Sequence, residues 1–236
     1  VAASSGLWEY CRLSPVSERQ MREPAEPVLS EMIAQALRQK IIAGELLPGA
    51  RLSERELTSQ LDISRNTLRE VFRLLTQEGL LRYQPNRGVC VAVPTDADII
   101  DIYRIRRLIE CDALRNAYPY HPAITMMERA VNEARRALRE ENWGEVGTAN
   151  MQFHAAIVAL SDSERLMRLY QHISAELRLA FGQLADKEML HSPYVEKNAG
   201  IILLLKAGEN GNAAATLETY LNISERTILA ALARSR

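Results

Sequence analysis

The chain has 236 residues, is 47% hydrophobic and carries a formal net charge of −1. That length is enough to bury a core and is typical of two domains. The near-neutral charge excludes tight nucleic-acid binding by bulk attraction, so such binding would need a localised basic face. The three widely spaced cysteines fit neither a disulfide framework nor a metal motif. With no apolar run of about 20 residues and no signal-peptide pattern, we expect a cytoplasmic protein without a membrane partner.

The first predicted segment is a flexible arm over residues 1–27, where prolines are interspersed with mixed charges. An amphipathic helix is predicted next, over about residues 28–44, with Leu37 and Ile41 among its apolar positions. Pro48 and Gly49 form a turn that stops this helix.

Residues 53–78 show the pattern of a helix-turn-helix. Ser53 precedes Glu56 by three residues, which is the spacing of a capping box at the start of a short helix. Asp62 and Ile63 break that helix, and Ser64 is placed to cap a second one over about residues 65–78. The second helix has an inward apolar stripe and polar residues in its first turns. Recognition helices contact base edges and phosphates through these first turns.

A two-stranded hairpin is predicted after this helix, with its tip at residues 84–87 and Gly88 providing the turn. Residues 28–94 therefore predict a winged helix-turn-helix domain. Seven arginines and five acids lie between residues 51 and 87. Four of the arginines fall on separate exposed edges of the motif, where a guanidinium can bind a phosphate or a guanine edge through two donors. The alternative is a capped helix pair that only packs.

Three stretches of this domain resemble the winged-helix domain of GntR-type bacterial transcription regulators: GELLPGARLSE over 44–54, SRNTLRE over 64–70 and EGL over 78–80. The resemblance covers nearly the whole domain. It implies DNA contacts by Arg55, Arg65 and Arg69 and a base-facing turn at Asn66 and Thr67, with residue 88 at a wing tip that enters the minor groove. The candidate DNA-binding residues are Arg55, Ser64, Arg65, Asn66, Thr67, Arg69, Arg87 and Gly88.

Residues 95–236 predict an all-helical second domain. Thr95, followed by Asp96 and Asp98, forms a capped helix start that matches the helix dipole. No alternating strand pattern follows, and breakers rich in Pro, Gly, Asn and Ser divide the segment into about six helices. The predicted fold class is mainly α: an N-terminal winged helix-turn-helix domain followed by an antiparallel helical bundle.

This second domain resembles the FadR-type, or FCD, effector domain found behind the winged helix in one GntR subfamily. The resemblance rests on Arg106 and Glu110, on Phe153 before His154, on Ser161 with Leu166 after it, and on the AGE stretch over 207–209. It implies a homodimer held largely by this domain, bound to double-stranded operator DNA with one recognition helix per half-site.

In that subfamily an Asp four residues before the His of the Phe-His pair, together with two later histidines, often holds a metal. Here Asn150 replaces the Asp, His154 is retained, and Asn198 and Tyr220 stand at the two later positions. Neutral amides and an un-ionised phenol are weak ligands for a divalent cation. We therefore expect no cofactor, and His154 and Asn150 are the only weak candidates for binding a metal such as Zn²⁺.

We expect these four residues to form a polar pocket that binds a small organic effector. By the same resemblance Arg106 lies on the facing helix, where it would take a carboxylate of that effector. The alternative is that Asn150 and Tyr220 only satisfy each other's hydrogen bonds inside the bundle.

The function predicted from the sequence is a repressor whose operator affinity the effector modulates by shifting populations. Two alternatives are a constitutive DNA-binding regulator with a vestigial pocket and a sensor of a metal together with a carboxylate. An enzyme is a third, but the chain has no nucleophile elbow, phosphate loop, HExxH or paired-carboxylate motif to support it.

Overall fold

The computed structural model describes residues 29–184 and 187–235, and the arm predicted over 1–27 lies outside the described residues. The head comprises three helices and a two-stranded sheet: α1 Leu29–Ala43, α2 Glu54–Leu61, α3 Arg65–Gln77, β1 Leu81–Gln84 and β2 Gly88–Val91. The rest of the described chain is helical: α4 Asp96–Arg115, α5 Pro122–Arg139, α6 Trp143–Ala159, α7 Glu164–Gly182, the short α8 Lys187–His191, a 3-10 turn Ser192–Tyr194, α9 Val195–Lys206 and α10 Asn210–Ser235. The predicted fold class is confirmed.

The head folds around the apolar stripe of α3, in which Leu68, Val71 and Leu75 are fully buried. Strand β1 pairs antiparallel with β2, from Leu81 opposite Val91 to Gln84 opposite Gly88. Local signals set the helix starts, because a side-chain cap satisfies N–H groups that the first turn leaves unbonded.

Helix caps form at the predicted places, but the full reciprocal capping box forms at α4 and not at α2. The Ser53 hydroxyl accepts the Glu56 N–H at 3.3 Å, which starts α2. The full reciprocal capping box forms at the start of α4, where the Thr95 side chain accepts from the Asp98 N–H and the Asp98 carboxylate accepts from the Thr95 N–H at 2.8 Å. The aspartate at this predicted start thus both caps α4 and complements its dipole.

The helical domain buries a separate core. Its long helices pack with α4 against α10 and α5 against both α6 and α9, around side chains such as Tyr103, Phe153 and Ile157, which are fully buried. None of the described helices combines the length and the apolar composition needed to cross a membrane.

Helix α7 belongs to both parts of the molecule. Its Leu177 and Phe181 lie in the core of the helical domain, while its Ala175 and Leu179 lie in the core of the head. Because one helix contributes to two cores, a change in its position would alter the packing of both the head and the helical domain.

Candidate DNA-binding face and effector pocket

The start of α3 presents polar side chains to solvent on a rigid, capped turn. The Ser64 hydroxyl accepts the Thr67 N–H at 3.0 Å and lies 2.8 Å from the Thr67 hydroxyl. Arg65, Asn66 and Arg69 are exposed in the same two turns. Ser64 and Thr67 therefore fix the backbone of this turn, and the other three side chains are available for contacts.

The arginines of the head divide into paired and unpaired groups. Arg73 donates two hydrogen bonds to Glu70, at 2.9 and 2.6 Å, and Arg82 lies 3.3 Å from Asp98. By contrast, exposed Arg55 and Arg65 form no ion pair with any described residue, and the Nε atom of exposed Arg69 comes only within 4.0 Å of Glu54. Unneutralised positive charge is thus present on α2 and at the start of α3.

The wing adds a further exposed arginine. The pairing of Gln84 with Gly88 makes residues 85–87 the loop and places Gly88 as the first residue of β2. Asn86 and Gly88 both have positive φ, +63° and +81°, as tight hairpin loops require. Arg87 is exposed at the loop, where its backbone N–H donates to the Gln84 carbonyl at 3.1 Å. The tip predicted over 84–87 is therefore one residue shorter in the structure.

The five predicted pocket residues lie together in the helical domain, as two linked hydrogen-bonded groups. In the first, Glu110 is fully buried and accepts hydrogen bonds from three sides: Arg106 Nε at 2.7 Å, Tyr170 hydroxyl at 2.8 Å and His154 Nδ1 at 2.6 Å. A buried carboxylate is stable when it has this many donors. Arg106 is thus the counter-ion of Glu110.

The second group holds the residues at the positions of the subfamily's metal ligands. His154 Nε2 lies 2.9 Å from the Tyr220 hydroxyl, which in turn lies 3.2 Å from Asn150 Oδ1. Asn198 Nδ2 donates to the same Asn150 oxygen at 2.7 Å. Asn198 Oδ1 is buried and has no hydrogen-bond partner among the described residues. The predicted contact between Asn150 and Tyr220 therefore exists, but it does not satisfy the whole group.

Comparison with known proteins fits both halves of this geometry. Residues 29–91 match the family described as "Bacterial regulatory proteins, gntR family", and residues 101–222 match the FCD domain. A GntR regulator chain from Rhodococcus sp. RHA1 superposes with a TM-score of 0.81 at 38% identity, over 86% of this chain and 98% of that one. The chain belongs to the GntR family and carries an FCD domain.

Two curated relatives carry names that describe regulators. The Nta operon transcriptional regulator of Aminobacter aminovorans is 32% identical over 56% of this chain, and that alignment spans 64% of the relative's length, somewhat less than two thirds. The repressor RspR of Escherichia coli (strain K12) is 25% identical over 71% of this chain and 75% of its own length. The family is one of regulatory proteins and not of enzymes.

Charge in the FCD pocket is set by the Arg106–Glu110 pair. Burial on its own would raise the pKa of Glu110, but Arg106 and His154 outweigh it and lower that pKa to about 2. Burial lowers the pKa of His154 and, together with the nearby Arg106, outweighs Glu110, which raises it. Glu110 is therefore ionised, and His154 is neutral with its hydrogen on Nδ1 facing the carboxylate.

This protonation state fixes how His154 and Tyr220 bond in the second group. A neutral His154 must accept at Nε2, so the single hydrogen of the Tyr220 hydroxyl goes to it. Burial raises the pKa of Tyr220, so the phenol keeps that hydrogen. The buried Asn198 Oδ1 is then left without a donor among the described residues.

The same donor set is a poor fit for the metal that the subfamily often holds. Both ring nitrogens of His154 are engaged, and Tyr220 does not supply an anionic oxygen. Within the described part of the chain, no three His, Cys, Asp or Glu side chains converge as metal ligands do. The carboxylate that bonds to His154 is that of Glu110, which already pairs with Arg106.

Free space among these side chains is small. The cavity enclosed by the cluster, with Tyr194 and Leu190 on its wall, has a volume of about 10 Å³. That is about the space of one water molecule. An organic effector therefore needs side chains such as Tyr194 or Tyr220 to move.

Some contacts of this region were not predicted from the sequence. Glu110 stands four residues after Arg106, a spacing that places both on one helix face, so its pairing was detectable. Tyr170 on α7 has no comparable signal, because 60 residues separate it from Glu110. The same is true of the buried 2.7 Å contact between Tyr103 on α4 and Ser224 on α10.

Proposed function

We propose that the chain is a sequence-specific DNA-binding transcription regulator that works in the cytoplasm. The observation that carries this proposal is the set of exposed arginines on α2, the start of α3 and the wing that have no close carboxylate partner among the described residues. A duplex supplies the phosphates and guanine edges that such guanidinium groups bind. The two described cysteines, Cys90 and Cys111, are buried free thiols, which suits a reducing compartment.

In this proposal the protein binds DNA as a homodimer. One recognition helix reads only a few base pairs in a single major-groove half-site, so two copies related by a twofold axis are needed for a long operator. Repression is the proposed outcome, and it is supported by the name of the relative RspR, a repressor.

We propose that the cluster around Asn150, His154, Asn198 and Tyr220 is where a small organic effector acts, without a metal. Support comes from Asn198 Oδ1, which has no hydrogen-bond partner among the described residues. A ligand that donates a hydrogen to Asn198 Oδ1 would satisfy that buried oxygen. A carboxylate on that ligand would reach only the guanidinium nitrogens of Arg106 that Glu110 leaves available.

A second candidate is a regulator that binds DNA without an effector. It is favoured by the small volume of the pocket, about 10 Å³, and by the internal pairing of Arg106 with Glu110. A thermal-shift panel of small carboxylic acids and their amides separates the two. A shift that Asn198→Leu abolishes supports the effector, and a flat panel supports constitutive binding.

The experiment that tests DNA recognition is a selection from random duplexes with the full chain. We expect the bound pool to converge on a motif with twofold symmetry and half-sites about one helical turn apart. A pool enriched in one unpaired half-site would contradict the homodimer. A pool that stays random while binding is strong would contradict sequence-specific recognition.

A further inference from the structure

A crevice lies between the head and the FCD domain, apart from the effector pocket. It has a volume of about 110 Å³ and is bounded by the loop after α1, the start of α6 and the end of α7. Most of its wall is apolar and includes Leu46, Leu47, Trp143 and Phe181, and its polar groups include Arg178. Ligand sites typically combine an apolar wall with few polar groups.

The guanidinium of Arg178 joins the two sides of this crevice. Its Nε donates to the carbonyl of Ile42 at the end of α1 at 2.7 Å. Its Nη2 makes longer contacts with α6, at 3.3 Å to the Gly144 carbonyl and 3.4 Å to the Thr148 hydroxyl. Its Nη1 makes no hydrogen bond to a described residue. One edge of the guanidinium therefore has unused donors.

Arg178 also has no counter-ion among the described residues, and burial alone lowers its pKa. Arg106, which is buried in the same domain, bonds directly to Glu110 at 2.7 Å. A partly buried cation with only neutral partners attracts an anion, because the surrounding protein does not screen its charge as water does.

A glycine in α6 makes room for this group. A Cβ on Gly147 would lie 2.6 Å from Arg178 Nη1 and 2.7 Å from His191 Nε2. Glycine inside a helix costs stability, so its presence here needs a reason. That reason is the close approach of two nitrogen-bearing side chains to one point at the wall of the crevice.

We propose that this crevice binds a small monocarboxylate with a short apolar body, held by Arg178 and bridging the head and the FCD domain. The carboxylate accepts from the free edge of the guanidinium, which is planar and matches its geometry. The apolar body lies against Trp143 and Leu47. Because the site includes the end of α1, its occupancy is coupled to the placement of the head.

The site differs from the proposed effector pocket, and its binding test does not require DNA. The alternative is that Arg178 binds no ligand and only holds α1 against α7 through its hydrogen bond to the Ile42 carbonyl. The two readings differ in one respect, since only a ligand site responds to an added carboxylate and ignores the matching amide.

Trp143 provides a local signal for the test. The chain has two tryptophans, so Trp8→Phe leaves only the one in the crevice wall. Butyrate is added to this full-length variant at constant ionic strength, with butyramide and chloride as controls. We expect a saturable change in Trp143 fluorescence with butyrate alone. No saturable change, or the same change with butyramide, would overturn the proposal.

Matched variants then locate the site. Arg178→Gln should weaken butyrate binding by at least about tenfold, because a charged hydrogen-bond donor is lost. Arg136→Gln removes the same charge from a nearby exposed position on α5 and should leave binding unchanged. If Arg178→Gln does not fold, Gly147→Ala serves instead, since its methyl group displaces the guanidinium and should also weaken binding. Unchanged affinity in the folded Arg178→Gln or Gly147→Ala protein would contradict the assignment.

Discussion

The arginines at the start of α2 and α3 in the head and Arg106 in the FCD domain are placed in opposite ways. Arg55 and Arg65 are exposed and have no carboxylate partner among the described residues. Arg106 is 3% exposed and donates to the fully buried Glu110. A solvated guanidinium costs the fold little and is available to a phosphate, whereas a buried one is tolerated only when it is paired.

This difference shows where each part of the chain uses its charge. At Arg55 and Arg65, charge is available to a ligand and contributes little to stability. In the FCD domain, the charge of Arg106 is used to hold the fold around Glu110. Substitutions at Arg55 and Arg65 should therefore change binding and leave stability intact, and those around Glu110 should do the reverse.

The largest effect is expected from Glu110→Gln. It leaves the Arg106 guanidinium buried without its carboxylate, and breaking a buried pair in this way costs about 3–5 kcal/mol of unfolding free energy. Urea denaturation followed by circular dichroism measures it. Glu196→Gln, which breaks the exposed pair with Arg135, is the control and should change little. Equal stability of Glu110→Gln and the parent would contradict the account of the pocket.

Acid should destabilise the FCD domain, in two steps. The pKa of His154 is lowered from 6.5 in the folded state, so the unfolded chain takes up a proton first and stability falls as the pH drops below 6.5. Glu110, with its pKa lowered from 4.5 to about 2, adds a second loss below pH 4.5. The dependence of the urea midpoint on pH between 7.5 and 5 should flatten in His154→Gln. The same substitution at His172, which is partly exposed, should leave that dependence in place.

A smaller effect is expected from Tyr220→Phe. The substitution removes the hydrogen that His154 Nε2 accepts, and an unsatisfied buried acceptor costs about 1–3 kcal/mol. Tyr194→Phe is the matched control, because the Tyr194 ring packs on Tyr220 with centroids 4.6 Å apart but its hydroxyl bonds to no described residue. The melting temperature of Tyr220→Phe should be lower than that of Tyr194→Phe. The reverse order would contradict the proposed hydrogen bond from Tyr220 to His154.

Removing metal should leave the stability of the protein unchanged. Among the described residues, the surroundings of His154 lack a further imidazole, and the Glu110 carboxylate beside it is already paired with Arg106. Protein purified without chelator should contain less than one metal per chain by inductively coupled plasma mass spectrometry, and chelator should not shift its melting temperature. Near-stoichiometric metal that His154→Ala removes would contradict this reading and favour a sensor of a metal with a carboxylate.

Local sequence signals sufficed for much of the head. Ser53 and Ser64 cap helices at the predicted positions, because a cap depends only on neighbouring residues. The length of the wing loop was off by one residue, since the pairing of Gln84 with Gly88 is set by the hairpin as a whole.

The pocket could be predicted only in part. Helical spacing and resemblance brought Asn150, His154 and Tyr220 to one place, but not the charge that surrounds them. Tyr170 bonds to Glu110 across 60 positions of sequence, and such a pairing depends on how helices pack. Periodicity likewise does not show that α7 contributes Ala175 and Leu179 to the core of the head.

The measurement that tests the central claim most directly compares Arg65→Ala with Arg73→Ala in binding to the selected operator and to random duplex. Arg65 is unpaired at the start of α3, whereas Arg73 lies on the same helix and is bonded to Glu70. We expect Arg65→Ala to lose about 1–3 kcal/mol of operator binding, with a smaller loss on random DNA and no loss of stability. Arg73→Ala should bind nearly as the parent does. Equal losses in the two variants, or an Arg65→Ala loss that is the same on random DNA, would contradict base recognition by the unpaired arginines.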